Sequence, residues 1–358
     1  MLTEESIKLT RKKIEAISRH PEKTAVAIDL VYVNDSTPGI NRIKKGKGFA
    51  YVADGKKLEN KAVVNRIKSL VIPPAWENVW ICMLDNGHLQ ATGVDVMKRK
   101  QYKYHPRWNT LRNQTKFYRL LEFGKALPAM RLQLEKDLAL PGMPVEKVLA
   151  LVVTLMGETN IRIGNNFYEK LYGSFGLTTL KDKHVVINGS HLKFAFKGKK
   201  GVNHDISLKN KKLALLVKKC RDIPGKELFQ YYDEAGKRHP IDSGMVNNYI
   251  KTISGTDFSA KDFRTWSGTV NALLAFKELG AFETETEKKK KIVEALDMVA
   301  SQLGNTRTVC KKYYVHPAII NIYENNSLQK YEELLQGKPD KINGIPEEQV
   351  ILKILETN

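Results

Sequence analysis

Short runs of β-branched and aromatic residues, separated by turn residues, dominate the first hundred residues of the chain. Runs of this kind predict strands. Asn86-Gly87 lies between two of the runs and is the dipeptide most typical of a tight β-hairpin. The predicted strands cover residues 30–33, 48–52, 79–83, 88–91 and 100–105.

Two short helices are predicted in the same part of the chain. Ile7, Ile14 and Ile17 fall roughly on one side of a helix over residues 5–17. A second helix is predicted over residues 60–70, because the prolines at positions 73 and 74 cannot continue it.

Apolar residues recur at helical spacing from residue 110 onward, which changes the prediction from sheet to helix. Three β runs interrupt the helices, and the Asn-Gly and Gly-Lys-Lys-Gly turns between them predict a three-stranded antiparallel sheet with Lys199 at the tip of its second hairpin. These runs cover residues 185–187, 191–196 and 202–206. The predicted helices cover residues 110–127, 144–156, 165–172, 208–220, 243–253, 259–279 and 287–303, and a last one begins near Pro346.

The change in periodicity predicts an α+β protein of two domains. Residues 1–110 form a small β-rich N-terminal lobe in this prediction, and residues 111–358 form a mainly helical lobe with the three-stranded sheet. A chain of 358 residues is too long for one ordinary core, which agrees with two domains.

The charge of the chain indicates its partner. A net charge of +20 and a pI near 9.6 cause self-repulsion that a polyanion relieves, and nucleic acid is the expected one. We find no apolar run long enough to span a membrane and no apolar signal segment at the N-terminus, so no membrane partner is expected. Three widely spaced cysteines describe neither a disulfide framework nor a metal site. We expect a protein of the reducing cytoplasm, associated with the nucleoid.

Cys310 allows two interpretations because it lies four residues before Tyr314. It could be a redox switch, but a small buried apolar residue is the preferred interpretation.

The basic residues of the N-terminal region are interleaved with aromatic residues. Residues 41–110 contain 14 Lys and Arg against 5 Asp and Glu, an excess of 14 − 5 = +9. Alternation along the last predicted strand places Tyr102 and Tyr104 on one face and Gln101, Lys103 and His105 on the other. An ordinary solvated sheet face would explain part of this excess. The combination of aromatic and cationic faces suits the backbone and base edges of a nucleic-acid groove.

Several common nucleic-acid chemistries leave sequence motifs that are missing from this chain. There is no phosphate-binding P-loop motif, so no nucleotide is expected. No acidic cluster predicts a two-metal site, and no Cys and His spacing predicts zinc. We therefore expect no cofactor and no metal, and covalent catalysis by a side chain is one of the few remaining ways to alter a phosphodiester.

Residues 303–317, LGNTRTVCKKYYVHP, contain the candidate nucleophile, Tyr314, next to Tyr313. A phenol is a weak nucleophile at neutral pH, so one that attacks phosphorus needs cations that hold the phosphate. Arg162, Lys199 and Arg264 are three candidates from separate segments. Adjacent tyrosines alone are more often packing residues, and only the three basic segments favour catalysis.

Seven ordered segments of the chain, between residue 36 and the 320s, resemble the type IB DNA topoisomerases of the poxvirus-like and bacterial branch. The segments are PGINRIKKGKGFAYV, VIPPAW, KQYKYHPRW, IRIGNNFYEKLYGSFGLTTLKDKHV, FAFKGKKG, KDFRTW and LGNTRTVCKKYYVHP. The resemblance implies a two-lobed clamp that closes round duplex DNA as a monomer, with a mainly α catalytic lobe.

The resemblance also implies roles for single residues. Tyr314 corresponds to the nucleophile, Arg162 and Arg264 to phosphate clamps, and Lys199 to the general acid for the 5′ oxygen. Asn305 stands where poxvirus and eukaryotic members have a histidine that donates to a non-bridging oxygen, and an amide can donate as well. Lys261 matches a basic position that assists Arg264, and the positions that match DNA contacts are Gln101, Tyr102, Tyr104 and Tyr168.

The activity implied by the resemblance is relaxation of supercoiled duplex DNA through a transient 3′-phosphotyrosyl intermediate, without ATP or an obligatory metal. One alternative is a tyrosine recombinase, which shares the catalytic lobe. KDFR in place of the usual H-x-x-R and the β-rich N-terminal lobe oppose it. A second alternative is a non-enzymatic architectural DNA binder, which would explain the charge but not the candidate catalytic residues.

Overall fold

A computed structural model describes residues 20–46 and 48–357 of the chain. The helix predicted at residues 5–17 lies outside the described residues. The chain divides into two compact units, Met1–Tyr118 and Arg119–Asn358. The division falls inside the long helix Pro106–Ala139. The predicted boundary, between residues 110 and 111, lies inside the same helix. That boundary was inferred from the change of periodicity and stays a prediction.

The first unit contains a six-stranded antiparallel sheet. The strands are β1 Ile40–Lys45, β2 Gly48–Ala53, β3 Lys56–Lys57, β4 Glu77–Ile81, β5 Leu89–Val94 and β6 Lys100–Tyr104. Their order in the sheet is β3-β2-β1-β4-β5-β6.

The helices of the first unit are Pro21–Val26 and Lys61–Ser69. Asn60 caps the second helix, because its side chain accepts hydrogen bonds from Ala62 N and Val63 N.

Two turns of this sheet show what the sequence pattern could and could not predict. Asp54 and Gly55 both have positive φ and form the tight turn between β2 and β3. The hairpin predicted at Asn86-Gly87 is wrong in detail, because residues 82–88 form a longer connection and neither residue has a positive φ. Gly87 is needed there for space, since a Cβ would lie 2.6 Å from Sγ of Cys82.

The strand predicted at residues 30–33 is also wrong. Val31 forms a single parallel bridge with Gly87. Leu30 packs instead with Ala25, Ile28 and Trp108 in a small apolar cluster. Leu30 is therefore a core residue, whereas Val31 and Tyr32 are exposed, and the run has no partner strand in the described part of the chain.

The second unit is mainly helical, and helix Val145–Thr159 lies in its core. Leu151, Val152 and Leu155 are fully buried, because this helix packs against several helices and two strands of the unit. Pro144 precedes the first turn and is the N-cap. The helices that follow are Asn166–Tyr172, Lys211–Arg221, Ser243–Ser254, Ala260–Leu279, Glu285–Leu303, Arg307–Tyr313, Pro317–Glu324, Glu332–Leu335 and Pro346–Thr357.

The predicted three-stranded antiparallel sheet is confirmed as β7 Val185–Asn188, β8 His191–Lys197 and β9 Asn203–Lys209. Leu192, Phe194 and Phe196 of β8 are buried and alternate with exposed residues. A two-stranded hairpin of β10 Gln230–Tyr232 and β11 Arg238–Pro240 was not predicted. The α+β class, with a small β-rich N-terminal region and a helical remainder, is confirmed.

Candidate active site

Two helix ends hold Arg264 in the second unit. Its Nη1 donates to the carbonyl oxygen of Asn160 at 2.7 Å, and its Nη2 donates to that of Leu303 at 2.8 Å. Asn160 and Leu303 lie at the C-terminal ends of the helices Val145–Thr159 and Glu285–Leu303. Carbonyl groups at such an end lack partners within the helix and carry partial negative charge. Arg264 is therefore kept in a buried position, 7% exposed, by backbone oxygens instead of a carboxylate.

Arg162 binds the next carbonyl of the same helix end. Its Nη2 donates to Gly304 O at 3.0 Å and to Asn305 Oδ1 at 2.6 Å. Gly304 has a φ of 56°, the left-handed conformation that ends a helix and that glycine adopts readily. The two guanidinium groups therefore bind the consecutive carbonyls of Leu303 and Gly304.

Asn305 has a defined amide orientation because of Arg162. A guanidinium only donates hydrogen bonds, so the side-chain oxygen of Asn305 must face it and Nδ2 must face elsewhere. Nδ2 is buried and has no hydrogen-bond partner in the described part of the chain. The same is true of Nε of Arg264. The site therefore contains two buried donor groups that bind no acceptor in the described part of the chain.

Both guanidinium groups remain positively charged at neutral pH. Burial, and to a smaller extent the neighbouring Arg264, lower the pKa of Arg162 to about 10, whereas Tyr314 acts in the opposite direction. Burial also lowers the pKa of Arg264, again opposed by the phenol of Tyr314. Two partly buried cations with free donor groups favour the binding of an anion.

Tyr314 lies beside Arg264, and the neighbouring Tyr313 is in a different environment. The guanidinium carbon of Arg264 is 5.3 Å from the ring centroid of Tyr314. Tyr314 follows helix Arg307–Tyr313, and its backbone N donates to Cys310 O at 2.9 Å. Tyr313 is 41% exposed, with Nζ of Lys312 5.8 Å from its ring centroid.

The helix that carries Arg264 also supports the backbone of Tyr314. A Cβ on Gly268 would lie 2.7 Å from Tyr314 O and 2.8 Å from Tyr314 Cβ, so only glycine permits this approach. Thr269 Oγ1 accepts a hydrogen bond from His316 N at 3.2 Å. Sequence analysis did not identify Gly268. Its position four residues after Arg264, on the same helix face, was the available signal.

Cys310 is fully buried behind the two arginines. Burial raises the pKa of its thiol to about 11, although Arg264 and Arg162 act in the opposite direction. A buried thiol that stays protonated reacts poorly with oxidants. The structure therefore agrees with the packing interpretation of Cys310.

Lys199 is on a different segment from these groups. It begins a short 3₁₀ turn, Lys199–Gly201, between β8 and β9, and its side chain is exposed. The structure thus brings four of the five predicted catalytic residues together and leaves the fifth on a surface turn.

Comparison with known proteins identifies the family. The family model described as "Eukaryotic DNA topoisomerase I, catalytic core" matches residues 101–339. The model described as "Bacterial DNA topoisomerase IB, N-terminal domain" matches residues 48–95. The chain belongs to the type IB DNA topoisomerases. It is therefore an isomerase that acts on DNA.

Curated viral relatives support the same assignment. DNA topoisomerase 1B of Acanthamoeba polyphaga mimivirus is 32% identical over 296 residues, which cover 80% of this chain and 88% of the relative. DNA topoisomerase 1B of Vaccinia virus (strain Copenhagen) is 22% identical over 237 residues, covering 66% of this chain and 72% of the relative. These matches do not favour the alternative of a tyrosine recombinase.

The predicted DNA contacts of this type IB topoisomerase that lie in the first unit are on strand β6. The rings of Tyr102 and Tyr104 stack with centroids 6.0 Å apart, so they share one face of the strand, as alternation predicted. Gln101 donates from Nε2 to Oδ2 of Asp95 at 2.8 Å. Sequence analysis did not identify this role of Asp95. The contacts with DNA themselves stay predictions.

The other two predicted DNA contacts of this topoisomerase lie on the second unit. Tyr168 is exposed on helix Asn166–Tyr172, and its ring stacks on Tyr172 with centroids 5.9 Å apart. Lys261 is exposed in the first turn of the helix that carries Arg264.

Two negative findings concern residues 20–46 and 48–357 of this topoisomerase. None of the helices there is long and apolar enough to cross a membrane. No three His, Cys, Asp or Glu side chains in those ranges come together as metal ligands would.

Proposed function

We propose that this enzyme relaxes supercoiled duplex DNA by transient cleavage of one strand, with Tyr314 as the nucleophile and a 3′-phosphotyrosyl intermediate. The observation that carries the proposal is the position of Arg264, which two helix ends hold beside Tyr314 while its Nε has no hydrogen-bond partner among residues 20–46 and 48–357. A scissile phosphate between Arg264, Arg162 and Asn305 would lie next to the phenol.

In the proposed reaction, the phenol of Tyr314 loses its proton to water, and its oxygen forms a bond to phosphorus while the bond from phosphorus to the 5′ oxygen breaks. Negative charge grows on the two non-bridging oxygens, and Arg162, Arg264 and Nδ2 of Asn305 stabilise it. Lys199 donates a proton to the departing 5′ oxygen. Religation is the reverse attack by the 5′ hydroxyl, and the phosphodiester bond is conserved throughout, so ATP is not needed.

Five residues are proposed to bind the duplex. Lys261 is an exposed cation for the phosphate backbone, and the aromatic and amide side chains of the set suit groove and sugar contacts. A monomer in the bacterial cytoplasm, associated with the nucleoid, is part of the same proposal. The net charge of +20 and the match to the bacterial N-terminal domain support it. The proposed set is Gln101, Tyr102, Tyr104, Tyr168 and Lys261.

Relaxation in the presence of EDTA tests the proposed chemistry. We expect the enzyme to relax both positively and negatively supercoiled plasmid without ATP or added metal, because side chains alone supply the charge stabilisation and the proton. The plasmid should lack any recombination site. Gel analysis that shows relaxation only after addition of Mg²⁺ contradicts the proposal.

Asn305→His tests the role of the free amide nitrogen. We expect this variant to retain cleavage, because a neutral imidazole can donate to the same phosphate oxygen. Asn305→Ala removes the donor and should slow single-turnover cleavage by about 10²-fold, as loss of one such donor does. A loss for Asn305→His as large as that for Asn305→Ala would show that the position acts in another way.

A substrate with sulfur in place of the bridging 5′ oxygen tests Lys199. Lys199→Ala should slow cleavage of the normal substrate by about 10² to 10⁴-fold, because an alkoxide without a proton is a poor leaving group. A thiolate leaves without a proton because its conjugate acid has a much lower pKa. The sulfur substrate should therefore restore Lys199→Ala far more than Arg264→Ala. Equal sulfur effects on Lys199→Ala and on wild type would remove the general-acid role.

A further inference from the structure

The imidazole of His204 on strand β9 occupies the space left by two glycines. A Cβ on Gly198 would lie 2.6 Å from both Cδ2 and Nε2 of the ring. A Cβ on Gly304 would lie 2.6 Å from Cε1. No side chain larger than hydrogen fits at either glycine while the ring stays in place, so these contacts are close and specific.

Packing holds the ring in this position. His204 pairs with Phe196 across strands β8 and β9, and the two rings stack with centroids 5.0 Å apart and planes 24° apart. Neither ring nitrogen forms a hydrogen bond with a residue in the described ranges. Burial lowers the pKa of His204, and the positive charges of Arg162 and Arg264 lower it further, so the ring is neutral at neutral pH.

The two glycines directly precede two proposed catalytic residues from separate segments, Lys199 and Asn305. Gly198 directly precedes Lys199, and its N donates to Val202 O at 2.7 Å across the hairpin. Gly304 precedes Asn305, and its carbonyl accepts from Arg162. His204 therefore touches both the base of the Lys199 turn and the backbone that binds Arg162.

We infer that His204 is a positioning residue that fixes the Lys199 turn against the backbone of Gly304, and so sets where the ammonium of Lys199 meets the departing 5′ oxygen. The inference rests on the proposed function, because it takes Lys199 as the general acid. An exposed lysine on a turn needs a rigid base, since an error of about 1 Å in placement can reduce a rate by about 10²-fold.

The sulfur-substituted substrate separates positioning of the acid from general damage. We expect His204→Ala to slow single-turnover cleavage of the normal substrate by about 10²-fold, the loss expected from a displaced general acid. With sulfur as the leaving atom, which needs no proton, His204→Ala should cleave at close to the wild-type rate. Equal slowing on both substrates would show general damage and overturn the inference.

Lys199→Ala, measured on the same two substrates, shows which proposal fails. If sulfur restores Lys199→Ala but not His204→Ala, the general-acid role stands and the positioning role of His204 is wrong. If sulfur restores neither variant, the general-acid role of Lys199 is wrong, and the inference is overturned together with it.

Gly198→Ala perturbs the same contact from the opposite side. Gly198 has a φ of −94°, which alanine adopts without backbone strain, but the added Cβ would collide with the ring of His204. We expect Gly198→Ala to slow cleavage of the normal substrate and to be restored by sulfur. The Gly198→Ala/His204→Ala double variant should be no slower than His204→Ala, because the ring is gone. If the double variant instead showed the sum of the losses of the two single variants, the two positions would not act through a shared contact.

His191→Ala is the matched control, because His191 is an exposed histidine at the start of β8 in the same sheet. It should cleave both substrates at the wild-type rate. His204→Phe keeps a planar ring on Phe196 and should cleave faster than His204→Ala. Thermal melting and DNA-binding gels establish that each variant is folded. The inference is overturned if His191→Ala slows cleavage of the normal substrate as much as His204→Ala does and the sulfur-substituted substrate restores both variants equally.

Discussion

Tyr314→Phe is expected to bind DNA with normal affinity and to form no covalent adduct. The substitution removes one oxygen atom, the proposed nucleophile, and leaves the ring beside Arg264 in place. No other phenol is held beside the two arginines in the described part of the chain. Incubation with DNA followed by denaturing electrophoresis should show no slowly migrating adduct, and plasmid relaxation should be absent.

Tyr313→Phe is the matched control for this experiment. Tyr313 is adjacent in sequence, but it is 41% exposed and its ring lies near Lys312. We expect Tyr313→Phe to retain adduct formation at close to the wild-type level. Peptide mapping that finds the DNA attached to Tyr313 in the wild-type enzyme would contradict the assignment of Tyr314.

Arg264→Lys is expected to cause the second largest loss, about 10² to 10³-fold in the rate of single-turnover cleavage, because a preorganised donor to the transition state is removed. The planar guanidinium group binds Asn160 O and Leu303 O through two nitrogens and still has Nε available. A lysine ammonium is a single point of charge and cannot occupy these positions together. The sulfur substrate should not restore this variant, because the loss concerns non-bridging charge.

Arg307→Lys is the corresponding control for Arg264→Lys. Arg307 is an exposed arginine of the same unit, and its guanidinium group pairs with Asp297 through Nε at 2.7 Å. Surface ion pairs of this kind contribute little to stability, at most about 1 kcal/mol. We expect Arg307→Lys to cleave at close to the wild-type rate. If Arg307→Lys lost as much activity as Arg264→Lys, the loss in Arg264→Lys would not be specific to the proposed site.

Much of the fold could be predicted because local patterns and tertiary structure agree. Alternation in β8 and the glycine turns on either side specify the three-stranded sheet, since the buried face of a strand is set by every second residue. The helices that carry Arg264 and precede Asn305 were predicted from apolar spacing, and Ser259 and Thr284 are their N-caps.

The incorrect predictions have a common physical cause. Residues 30–33 have the composition of a strand, but among the residues that the structure describes only one bridge, at Val31, pairs them with another segment. Asn86-Gly87 has the composition of a tight turn, but Gly87 serves to leave space for Cys82. In both places a neighbour that is distant in sequence, or a steric demand, decided the conformation against the local preference.

The sequence by itself identified the family and the side chains with suitable chemistry, because residue types and motif spacing are local properties of the chain. Only the tertiary structure decided how these side chains are held. Arg264 depends on the carbonyls of Asn160 and Leu303, whose directions result from the packing of three helices. The place of His204 between Gly198 and Gly304 likewise results from the packing of a hairpin against a helix end. Such contacts join residues up to 104 positions apart, and no local pattern records them.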